Sequence, residues 1–100
     1  MIARAKTSLG QFGSFVKVVL DVERKIAAIG CELHIDCAEE LTKDGSSGKD
    51  LWGANIYPED KRIDFVSMIN IRPKENNLSM EIQLPEIRNR VEAVIKDLFF

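Results

Sequence analysis

The stretch SFVKVVLDVERKIAAIG, Ser14 to Gly30, sets the fold, because the rest of the chain must cover whatever it forms. Phe15, Val19, Val22, Ile26 and Ile29 fall at offsets of 0, 4, 7, 11 and 14, which is one face of a helix. Ser14 suits the N-cap, Asp21 precedes Lys25 in the favourable i, i+4 order, and Gly30 suits a left-handed C-cap. The spacing therefore predicts an N-terminal helix. A competing reading ends the helix near Lys25 and starts a strand at Ile26.

Beyond Gly30 the period shortens to two. In ELHIDCAEEL, Leu33, Ile35, Cys37 and Leu41 alternate with His34, Asp36, Ala38 and Glu40, as in a strand with one buried face. A helix over CAEELTKD is the rival, with Asp36 and Glu39 as a D-x-x-E capping box and Gly45 closing it. LWGANIY, IDFVSMINIRP and LSMEIQ read as three further strands, separated by KDGSSGKD, YPEDKR and KENN. Pro85 opens a last helix, whose buried stripe is Ile87, Val91, Val94, Ile95 and Leu98. The expected architecture is α+β, a four-stranded antiparallel meander with an N-terminal and a C-terminal helix packed on one face. Residues 1–12 are either a loose arm or a short extra strand.

One hundred residues make one domain able to bury roughly two thirds of its unfolded surface. Apolar residues make up 45% of the chain and charged ones 30%, with a formal charge of −2, which disfavours a nucleic-acid partner. No window approaches the roughly eighteen apolar residues of a membrane span, and the first ten residues lack the apolar run of a signal peptide. A cytoplasmic protein is expected. On one strand, Cys31 and Cys37 would lie roughly 20 Å apart, too far for a bridge. Cys37 is accordingly expected to be buried and reduced.

The motifs GCELHIDC, DLWGANIYPE and INIRPKENNLSMEIQ, the last followed by a helix, occur in that order. Together they resemble a small bacterial family classed only as a domain of unknown function, whose members share G-G-E-L-H-x-D, L-W-G-x-N-x-Y-P and I-N-I-R-P…S-M-E-I-Q. The likeness runs from Phe12 to Leu98. Cys31 stands where the family usually has a second glycine, and the arm before Phe12 is shorter than is typical. The resemblance implies one domain and carries over no catalytic residue.

Pairing Ile71 with Leu78 sets Asn70 opposite Ser79, Arg72 opposite Asn77 and Met68 opposite Glu81, while a turn at Pro58–Lys61 brings Asn55 near Asp64. His34, Asp36, Asn55, Asn70, Arg72, Asn77, Ser79 and Glu81 are then candidates for binding a small polar ligand or a protein partner on one polar sheet face. The bland alternative is a solvated face. A small hydrolase using His34 and Asp36, with or without a metal, is the second reading. C-x2-H-x2-C at Cys31, His34 and Cys37 lacks a fourth zinc ligand, Gly45 to Asp50 fails the phosphate-loop pattern, and Ser79 is not on a nucleophile turn. No cofactor is implied. Phe99 and Phe100 point in different directions, so at least one is expected to be free to anchor a weak homodimer.

Overall fold

The computed structural model describes residues 1–100. Strands β1 (Ile2–Ala3), β2 (Val16–Asp21) and β3 (Ile26–Ile29) precede helix α1 (His34–Lys43). Strands β4 (Leu51–Tyr57) and β5 (Arg62–Asp64) follow it, and helix α2 (Pro85–Phe99) ends the chain. The sheet has five strands in the order β1-β3-β2-β4-β5, with every neighbouring pair antiparallel. β3 and β4 flank β2 and therefore run parallel to one another, with α1 as the crossover between them.

Ser14–Gly30 is thus a hairpin, not a helix. Val18, Val19 and Leu20 are all fully buried, as are Ala27, Ala28 and Ile29, so both faces of these strands are covered. A doubly covered strand reads as a continuous apolar run, and here the run also contained a helical spacing. The turn is organised by Asp21, whose buried carboxylate accepts from the Glu23 and Arg24 N–H groups at 3.0 and 2.8 Å. Its other oxygen accepts from the Ser46 hydroxyl at 2.6 Å, which joins the turn to the loop after α1.

The second correction mirrors the first. CELHIDC is not a strand; from His34 the chain is helical, so Cys37 and Leu41 are buried at helical spacing while Leu33 and Ile35 are exposed. Helical coiling brings Cys31 and Cys37 together as a disulfide with Cα atoms 5.8 Å apart. The separation that excluded a bridge applied only to a strand. Cys37 is buried as expected, but it is bonded and not a free thiol.

The two helices lie on opposite faces, which corrects the one-sided arrangement. Val91, Ile95 and Leu98 of α2 join Val16, Val18, Leu20, Trp52, Ala54 and Ile56 in the larger cluster. Cys37 and Leu41 of α1 join Val19, Ile26, Ala28 and Leu51 in the smaller one. Burial that the sequence pattern assigned to one face is therefore shared between two. Residues 1–12 carry the fifth strand, since Ile2 and Ala3 pair with Ala28 and Ala27, and Leu9 is buried. Phe99 and Phe100 are both partly buried against the larger cluster, so neither ring is free in the way expected.

LWGANIY forms the expected strand, but the two strands expected after it shrink. Only Arg62–Asp64 ladders with β4, Ser67 caps a 3-10 turn at Met68–Asn70, and Val66↔Glu81 and Arg72↔Asn77 are isolated bridges. LSMEIQ is loop around one buried side chain, Ile82. No helix is long and apolar enough to cross a membrane.

Candidate functional site: a groove at the head of α1

The eight candidate residues do not share a face. Asn70 and Asn77 are completely buried and act as hydrogen-bonding hubs for the loops. Asn70 accepts from the Gly53 N–H at 2.8 Å and donates to the Gly53 carbonyl at 2.9 Å and to the Met80 carbonyl at 3.1 Å. Asn77 donates to the carbonyls of Asn70, Ser79 and Glu81 and accepts from the Gln83 N–H. Ser79 accepts from the Glu81 N–H at 3.1 Å, and the exposed Glu81 carboxylate faces Arg88 at 3.7 Å.

Arg72 lies over the Trp52 ring at 4.2 Å and donates to the Ile69 and Lys49 carbonyls. Burial pulls its guanidinium below the usual arginine range, against the opposing carboxylates of Glu75 and Asp50. With Lys49 and Lys74 it lines a cleft of about 500 Å³.

His34 and Asp36 part company for a geometric reason. Two residues apart on a helix are about 200° apart around its axis. His34 faces the sheet and Asp36 faces solvent. The Nε2–H of His34 donates to the Ala54 carbonyl at 2.8 Å, which fixes the neutral tautomer and leaves Nδ1 as an acceptor. Burial pushes the imidazole pKa down and the Lys17 ammonium pushes the same way, while the Ala54 carbonyl and the Asn55 side chain oppose them. Asn55 is paired with Asp64 in the β4–β5 ladder, and its amide donates to that carboxylate at 3.3 Å and to the Val66 carbonyl at 3.1 Å. Its Oδ1 is buried without a hydrogen-bond partner.

What His34 does share is a groove of about 410 Å³ with Lys17, Leu33, Ile35, Ser67, Met68 and Ile69. Its apolar walls are unusually open to water, with Met68 73% exposed, Leu33 55% and Ile35 49%. Lys17 is half-buried on β2 directly opposite Asn55 and takes part in none of the ion pairs of the molecule. The N-cap of α1 is Leu33, which offers no side-chain acceptor to the first turn, so the positive end of this helix also faces the groove region. Phe15, two residues before Lys17, packs edge-on against Tyr57 at 5.2 Å, and Arg62 lies over the Tyr57 ring at 3.9 Å.

Of the groove residues the sequence reading singled out only His34. A helix over Ser14–Gly30 keeps Lys17 away from Met68, which strand pairing sets opposite Glu81, so nothing in the sequence brings the two together. The donor atoms of Cys31, Cys37 and Glu40 lie within 4.8 Å of one another, but the two sulfurs are bonded to each other.

Nothing among curated proteins or solved structures matches the chain. A family model does match, over residues 2–98, and it covers every strand, α1, and all of α2 but its last residue, Phe99. The chain belongs to the family described as Protein of unknown function (DUF5674).

Proposed function

We propose that this protein is a binding module whose groove at the head of α1 takes a small apolar anion, an aliphatic carboxylate in the simplest case. The observation that carries this reading is the unpaired Lys17 at the rim of an open apolar groove. A half-buried ammonium with no carboxylate partner gains most from an anion brought to it in a partly dehydrated place. Leu33, Ile35 and Met68 offer the apolar contact that would hold the rest of such a molecule. The volume is within the range of small-molecule sites. His34, held neutral by burial, adds no charge to the groove, so Lys17 is its one cation.

Titrating the isotope-labelled protein with octanoate and with octyltrimethylammonium tests the sign as well as the place. Octanoate should give saturable amide shifts at Lys17, Leu33 to Asp36 and Ser67 to Ile69, and the cation should bind more weakly. Lys17→Met should lower octanoate affinity about tenfold, the loss of one modest ion pair. Equal binding of anion and cation, or shifts elsewhere alone, would refute the reading.

A further inference from the structure

The Cys31–Cys37 disulfide spans the entry to α1, and its two ends differ in access. Cys37 is fully buried in the smaller core cluster, next to Leu41 and Leu51. Cys31 is half-buried and lines a second, shallow cleft of about 340 Å³ with Phe12, Phe15, Lys17 and Glu32. Lys17 belongs to both clefts, and the residues enclosed by the bridge, Glu32 to Asp36, include the groove residues Leu33, His34 and Ile35.

We propose that Cys31–Cys37 is a thiol–disulfide exchange site, open to an external dithiol at Cys31 and tethering the wall of the α1 groove when oxidised. The chemistry follows from the geometry. A thiolate of the dithiol approaches through the shallow cleft and attacks Cys31 Sγ, forming a mixed disulfide, while the broken bond's electron pair leaves on Cys37 Sγ. Cys37 is the fourth residue of α1, inside the first turn, where the positive helix end favours a departing thiolate until it takes a proton. The second thiolate of the reagent then attacks the reagent's own sulfur, closes a cyclic disulfide and releases Cys31. The protein gains two electrons and two protons, and the dithiol is oxidised by the same two electrons.

The reduced chain keeps α1, because Cys37 and Leu41 still seat it on Val19 and Leu51, but Glu32 to Ile35 lose the covalent link to the first turn. Exchange itself does not depend on the groove binding any ligand, so the two proposals fail separately.

The full chain is equilibrated at neutral pH with mixtures of dithiothreitol and its cyclic disulfide, quenched by alkylation and weighed, with amide spectra recorded at both extremes. The expected result is a reversible two-electron transition between two folded forms, with amide shifts concentrated at residues 30–40, Lys17 and Met68. In single variants, an aromatic disulfide should label Cys31 of Cys37→Ser on the order of a hundredfold faster than Cys37 of Cys31→Ser, since Cys37 reacts only through local opening. If a variant does not fold, the wild-type redox transition still decides. Reduction only in denaturant, unfolding on reduction, or equal labelling rates in folded variants would each overturn the proposal.

Discussion

Protonating His34 means charging an imidazole that the fold keeps neutral, and the sign of that cost can be read from stability. Burial holds its folded pKa below the ordinary value of 6.5, which the unfolded chain retains. As pH falls through 6.5 the unfolded state takes a proton first, so the contribution of His34 is complete above that value and declines down to the folded pKa. Urea unfolding at pH 7.5 and pH 5.5 should therefore show the wild type losing stability that His34→Gln does not lose. Parallel losses in the two proteins would mean that burial does not hold the His34 pKa down.

At the scale of elements, the sequence exposed some boundaries and hid the assignments between them. Strand β4 and helix α2 were legible because LWGANIY ends at a proline turn and α2 begins at Pro85 with an uninterrupted apolar stripe. Ser14–Gly30 was misread because its strands are buried on both faces, which removes the alternation, and because a five-residue helical spacing survived by coincidence. The true signal was local. Asp21 makes an Asx turn by accepting the Glu23 N–H on its side chain, and the Lys25 N–H closes the loop on the Asp21 backbone carbonyl at 2.8 Å. CELHIDC failed in the opposite way, by showing alternation where helix exposure happened to leave Leu33 and Ile35 in water.

The outer strands failed because a side chain does a strand's work. Beyond β5, the edge of β4 at Gly53 is bonded at both its N–H and its carbonyl by the amide of Asn70. Gly53 permits this close approach, since a Cβ there would sit 2.5 Å from the Ser67 Cβ. Of the candidate site, the sequence yielded His34 but not its company, because Lys17 and Met68 reach it only through the misassigned segments. Asn70→Ala should cost about 3 kcal/mol, more than Ile69→Ala on the partly exposed neighbour, because buried Gly53 groups lose their partners. Chemical denaturation of both variants measures this. A larger loss from Ile69→Ala would return the segment to an ordinary strand with Ile69 in the core.

At the scale of the molecule, the groove is a consequence of unequal cover. Helix α1 has ten residues, about 15 Å of length, and lies on a sheet whose β4 strand of seven residues runs about 23 Å. It seals Val19, Ile26, Ala28 and Leu51 and stops at His34, so the end of the face that carries Lys17, Phe15 and Tyr57 lies beyond its head. The opposite face has the longer α2, and its cluster includes β2 from Val16 to Leu20. The uncovered end is thus where an apolar anion would complete the third layer. The most direct measurement is of intermolecular nuclear Overhauser effects from the alkyl chain of bound octanoate to the protein. Contacts are expected to the Met68 ε-methyl and to the Leu33 and Ile35 methyls, with the carbon next to the carboxylate nearest Lys17. Contacts instead at Val22 and Val94, in the charged cleft beside α2, would contradict it.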